Sequence, residues 1–157
     1  MKAMKLERIP EVRVDMLIRR PAADVFEAFA NPDVTTKFWF TKSSGRLEKG
    51  ARIRWAWEMY GVSDELLVTE LVPGERIRVE FSDGTAAEWT FAPREGGHTY
   101  VTIVNTGFAG NGDEIVAQAL DAMGGYTMVL CGAKAYLEHG IALNLVADRA
   151  PDAHTAG

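Results

Sequence analysis

The chain has 157 residues, 47% apolar and 25% charged, with a formal net charge of −5. That length suits one domain with a sizeable core, and the acidic balance, with Arg19-Arg20 the longest basic cluster, argues against a nucleic-acid partner. No apolar run approaches the roughly 20 residues of a membrane span, the start MKAMKLERIP lacks a signal-peptide core, and a single cysteine excludes an internal disulfide, so a cytoplasmic protein with no membrane partner is expected.

Glu11 to Ile18 alternates, with Val12, Val14 and Met16 on one face and Arg13 and Asp15 on the other. This period of two predicts a half-buried strand. Pro21 suits the first turn of a helix, and Val25, Phe26 and Phe29 share one helical face. Asn31-Pro32 ends that helix and can cap a second short one, running to about Phe38. Phe38-Trp39-Phe40 then precedes a polar loop, TKSSG. Three consecutive aromatics cannot all enter one core from a regular element. Either one or two anchor the loop, or Trp39 or Phe40 lines the mouth of a pocket.

A series of strands follows. Ala51 to Met59 places Ile53, Trp55, Trp57 and Met59 on one face, with Arg52, Arg54 and Glu58 on the other. Gly61 turns the chain, Val62 to Val72 forms the next strand, and Pro73-Gly74 ends it. Glu75 to Phe81 points Ile77, Val79 and Phe81 inward. Ser82-Asp83-Gly84 is a hairpin turn. Ala86 to Ala92 turns Trp89 and Phe91 inward, and His98 to Thr106 is the last strand. The outward Arg and Glu residues read as cross-strand pairs on a solvated face.

Asp113 to His139 has the only sustained helical period. Ala119, Met123, Tyr126, Leu130, Ala133 and Leu137 recur at steps of three and four, and Val116, Leu120 and Val129 widen the stripe. Asn111, Gly112 or Asp113 caps its start and Gly140 stops it. The segment would be roughly 40 Å long. Gly124-Gly125 predicts either a kink or break, or space left for a ligand or a close strand; each glycine costs about 1 kcal/mol against alanine. Ile141, Leu143, Leu145 and Val146 are expected to pack back on the domain. Residues 148–157 read as a flexible tail, leaving residues 1–147 as the single domain.

The expected class is α+β: an antiparallel sheet with one apolar face, two short helices after strand 1, and one long C-terminal helix as cover. This order resembles the helix-grip fold of the START-like (SRPBCC) superfamily. Within it the chain is similar to the branch named for homology to the activator of the heat-shock-protein-90 ATPase. Residues 21–28 (PAADVFEA), Phe38-Trp39-Phe40, residues 72–77 (VPGERI), residues 96–99 (GGHT) and Gly125-Tyr126 carry the likeness, which spans about residues 11 to 140. Tyr126 stands where that family usually has Trp. The resemblance implies a curved sheet gripping the long helix, with an apolar cavity between them.

Such a cavity would be lined by Trp39, Phe40, Trp55, Trp57, Phe81 and Trp89. Phe91, Asn105, Met123, Tyr126 and Leu130 complete the expected wall. Large aromatics with few polar groups also fill ordinary cores, so each of these has a packing reading beside the binding one. Tyr60, Thr69, Tyr100, Tyr126 and Asn105 are the polar candidates. Alternation turns Tyr100 outward and Asn105 inward, where the amide needs a hydrogen-bond partner.

No metal site is expected, because His98, His139 and His154 share no ligand spacing with Cys131. Cys131 itself reads as an inert buried thiol. With four serines in all and no nucleophile, P-loop or dinucleotide motif, neither catalytic residues nor a cofactor are expected. The resulting expectation is binding of a small, largely apolar or aromatic molecule by a monomer or homodimer. The alternatives are a cyclase- or hydratase-type enzyme of the same superfamily, or a co-chaperone-like interaction module.

Overall fold

Period-two alternation in six segments, with a two-residue edge strand added, produces one antiparallel sheet. In the computed structural model, which describes residues 2–155, its strands are β1 (Val12–Ile18), β2 (Lys42–Ser43), β3 (Arg52–Trp57), β4 (Val62–Val72), β5 (Arg76–Phe81), β6 (Ala86–Arg94) and β7 (His98–Thr106). Their order is β1-β7-β6-β5-β4-β3-β2. The β4–β5 register slips between Val68 and Glu70, a bulge of the kind that bends a sheet. Two helices, α1 (Ala22–Ala30) and α2 (Pro32–Thr35), separate β1 from the rest, and α3 (Gly112–His139) follows β7. The fold is α+β, a sheet gripping a long helix, as the order of elements predicts.

The ends of α3 are tied down by polar contacts. Asn111 accepts from the Glu114 N–H, while Glu114 bonds back to the Asn111 N–H, closing a capping box. Asp113 accepts from the Met4 N–H at 3.0 Å. At the far end, Lys134 donates to the Leu17 carbonyl at 2.8 Å, and Glu138 accepts from the Arg19 N–H at 2.9 Å. Arg20 donates to the Leu137 carbonyl at 2.8 Å. Between these anchors the helix runs unbroken through Gly124-Gly125, so the expected alternative of a break does not occur.

The core lies against the sheet and under α1. Trp55, Trp89, Phe40, Ile77 and Leu130 are each at most 1% exposed. Phe40 stacks on Trp55 at 4.8 Å between centroids, and Phe26 meets Phe91 edge-on at 5.6 Å. The outer sheet face carries ion pairs, among them Arg76–Glu88 at 2.6 Å and Arg78–Glu80 at 2.8 Å.

Several local expectations are corrected. TKSSG is not wholly loop, because Lys42-Ser43 adds an edge strand to β3. Alternation stops at Trp57: Glu58–Tyr60 forms a 3-10 turn that Gly61 closes at φ 61°, so Met59 leaves the inward row. On α3 the expected stripe packs inward at Ala119, Tyr126, Val129, Leu130, Ala133 and Leu137, joined by Ile115, whereas Leu120 (70% exposed) and Met123 (43%) point outward. Cys131 is exposed, one position off that stripe. Ile141 and Leu143 are exposed, because the chain reverses only after them. By length and composition α3 is apolar enough to cross a membrane, counter to the sequence expectation. Its Ile, Val, Leu, Met and Ala residues raise its mean hydropathy, and its apolar stripe faces the sheet.

After α3, α4 (Leu145–Arg149) and a 3-10 turn at Pro151–Ala153 fold back. Within the expected tail, His154 contacts the Ala147 carbonyl at 2.7 Å and the Thr155 N–H donates to the Met59 carbonyl at 2.8 Å. Ala156 and Gly157, the end of that expected tail, lie outside the described residues.

Candidate functional site

A cavity of about 530 Å³ opens between the ends of β3–β5, the middle of α3 and the returning α4. That volume falls within the usual range of small-molecule sites, roughly 300–1,000 Å³. Of the residues expected to line it, Trp39, Trp57, Phe81, Asn105 and Tyr126 do so. Phe40, Trp55, Trp89, Phe91 and Leu130 do not: all are buried in the core beneath it. Met123 does not either, since it projects to solvent.

The aromatic triplet resolves because its backbone is irregular. Phe38 packs edge-on to Phe29 at 5.4 Å, and Phe40 enters the core. Trp39 lies between core and cavity, 4.8 Å from Trp55 and 5.9 Å from Tyr126. Trp57, the last residue of β3, is half-buried and joins the wall where that strand ends. On α3, Gly125 contributes open space: a Cβ built there meets nothing within 4 Å. That space belongs to the cavity, which Gly125 lines.

Of the polar candidates, Tyr60, Asn105 and Tyr126 belong to the wall. Asn105 is 5% exposed, and its amide donates to the Ala86 carbonyl at 2.8 Å. Tyr60 donates to the Val146 carbonyl and, at 3.3 Å, to that of Ala147, tying α4 over the cavity. Thr69 is engaged with Arg78 at 3.0 Å, and Tyr100 lies under the Arg94 guanidinium at 4.9 Å. Neither reaches the cavity.

The sequence reading missed the acidic residues. Asp64, Asp83 and Asp121 line the cavity, with Arg149 as the cation there. Asp64 had a readable signal: it occupies the row Val62, Leu66 and Val68, where alternation calls for an apolar side chain. Burial, and then the charge of Asp83, hold its carboxyl above the usual carboxylate range. Asp83 accepts from the Thr85 N–H and hydroxyl at 2.9 and 2.7 Å, a turn contact that also turns the residue toward the cavity. Burial pushes the Tyr126 phenol far up, and Asp64 and Asp83 add to the shift. At neutral pH that hydroxyl is a hydrogen-bond donor, never a base.

The family model described as "Activator of Hsp90 ATPase homolog 1-like protein" matches residues 19–138. The chain belongs to this family. Its fold is shared with protein SSP2350 from Staphylococcus saprophyticus, at 28% identity and TM-score 0.76, covering 85% of this chain and 96% of that one. The Aha1 dimer from Colwellia psychrerythraea is similar at 18% identity and TM-score 0.71, covering 83% and 98%. The AHSA1-like protein from Aeromonas hydrophila follows at 20% identity and TM-score 0.67, covering 83% and 94%. No curated protein matches the chain in sequence. Residues 141–155, including the α4 part of the cavity wall, lie beyond the stretch matched by the family model.

Proposed function

We propose that this family member holds a small, largely apolar aromatic molecule between its sheet and α3 without transforming it. The observation that carries this reading is the cavity itself, walled by Trp39, Trp57, Phe81, Phe108 and Tyr126. Flat aromatic faces bury a planar ligand with strong area gain and little entropy loss. Titration with N-phenyl-1-naphthylamine, a neutral aromatic fluorophore, tests it. Trp57→Ala and Tyr126→Ala are expected to weaken binding about tenfold or more, with a smaller effect on folding. Loss of stability in both variants with affinity unchanged would overturn the assignment.

A cyclase- or hydratase-type enzyme is a second reading, favoured by one observation. Asp64 is held above the usual carboxylate range beside a protonated phenol, and perturbed groups in a cavity are candidates for proton transfer. In that reading Asp64 exchanges the proton, because Tyr126 is displaced away from neutral pH rather than toward it. An Asp64→Asn variant that binds ligand yet leaves it chemically unchanged, where the parent protein converts it, would favour the enzyme.

A further inference from the structure

We infer that the cavity selects an aromatic molecule bearing an organic cation, such as a protonated amine, which Asp64 and Asp83 hold beside the rings of Trp57 and Phe81. This rests on the cavity reading and adds the ligand's charge to it.

The strand register sets the arrangement. Asp64 pairs across β3 with Trp55, which is core, so its diagonal neighbour on the same face is Trp57, opposite Val62. Across β5, Leu66 pairs with Phe81, which places Phe81 diagonal to Asp64 on the other side. Asp83 follows two residues after Phe81 and lines the same cavity. Asp64 therefore lies in the inward row between two aromatic side chains, with a second carboxylate close enough to shift it. Ring faces attract cations through their quadrupole, and carboxylates do so through charge.

The acids outnumber the cations on the wall. No ion pair reaches Asp64, Asp83 or Asp121 among the described residues. Among the described residues Arg149 is the one cation lining the cavity, against three aspartates. An independent observation comes from Tyr126, a half-buried residue of the cavity wall whose hydroxyl has no protein hydrogen-bond partner among the described residues. A phenol oxygen also accepts, so this hydroxyl offers an acceptor to an ammonium N–H beside the two carboxylates. The acids also do not focus on one point: among the described residues no three His, Cys, Asp or Glu converge to hold a metal ion. Carboxylates spread along an aromatic wall suit a bulky organic cation better than a bare metal ion.

Isothermal titration calorimetry on the full chain with three probes of one shape tests this: 2-(1-naphthyl)ethylammonium, 2-(1-naphthyl)ethanol and 1-naphthylacetate. The ammonium compound is expected to bind about tenfold tighter than the alcohol, with the acetate weakest. In the Asp64→Asn/Asp83→Asn double variant that preference is expected to vanish while the alcohol's affinity is retained, with thermal melts confirming the fold. If the alcohol binds the parent protein as tightly as the ammonium compound, or if the preference survives in the double variant, the charge inference falls and the cavity reading stands. If none of the three binds, both fall.

Discussion

Asp64 shows how one side chain can act against the element that carries it. Its position in β4 calls for an apolar residue, and burial beside Asp83 holds its carboxyl above the usual range. A carboxyl that is harder to ionise in the folded state binds its proton more tightly there than in the unfolded chain. Its contribution is therefore most favourable below the unfolded pKa and is lost as pH rises through the raised folded value. Asp64→Asn removes that loss. Its melting temperature is expected to exceed the parent's at pH 7, with the gap closing toward pH 3.5. Equal melting temperatures across that range would show that the carboxyl carries no burial penalty. Trp55 and Trp57 make the complementary point. They share one inward row, yet Trp55 is 1% exposed in the core while Trp57 is half-buried at the cavity. Alternation gives a residue's face but not its depth.

At the scale of elements, α3 is held at its ends and freest in its middle. Capping and Asp113 hold its start, and Lys134 and Glu138 hold its end against β1. Gly125 and Gly132, both inside the helix, should then behave oppositely. A Cβ at Gly125 meets nothing within 4 Å, whereas at Gly132 it lies 3.2 Å from the Phe38 Cβ and 3.3 Å from its carbonyl oxygen. Gly125→Ala is expected to stabilise by up to about 1 kcal/mol, the helix-propensity gain, while narrowing the cavity and weakening probe binding. In Gly132→Ala the crowding against Phe38 opposes the same gain. Urea denaturation should rank Gly125→Ala above the parent and Gly132→Ala below Gly125→Ala; the reverse ranking would contradict the helix placement.

For the whole molecule, the cavity depends on a segment outside the strands and the long helix. Val146, Arg149 and Ala150 close one side, held by Tyr60 and by the Thr155 contact to Met59. A chain ending at Gly140 is expected to keep the circular-dichroism spectrum of the sheet and α3 but to bind N-phenyl-1-naphthylamine several-fold more weakly. Unchanged affinity would remove α4 from the binding wall. The sequence by itself determined six of the seven strands, α1, the long helix and its ends, because alternation, helical period and turn residues are local; the two-residue edge strand Lys42–Ser43 is too short to carry a period. It also determined that Asn105 turns inward and that Trp57 and Tyr126 share the apolar side. Only the tertiary structure decided which inward aromatics fill the core and which face open space. That division depends on where α3 stands off the sheet and where α4 returns. The exposure of Met123 and Cys131 on α3 and the gathering of Asp64, Asp83 and Asp121 around one cavity were settled the same way. Both join residues distant in the chain, and local periodicity carries no record of such distances.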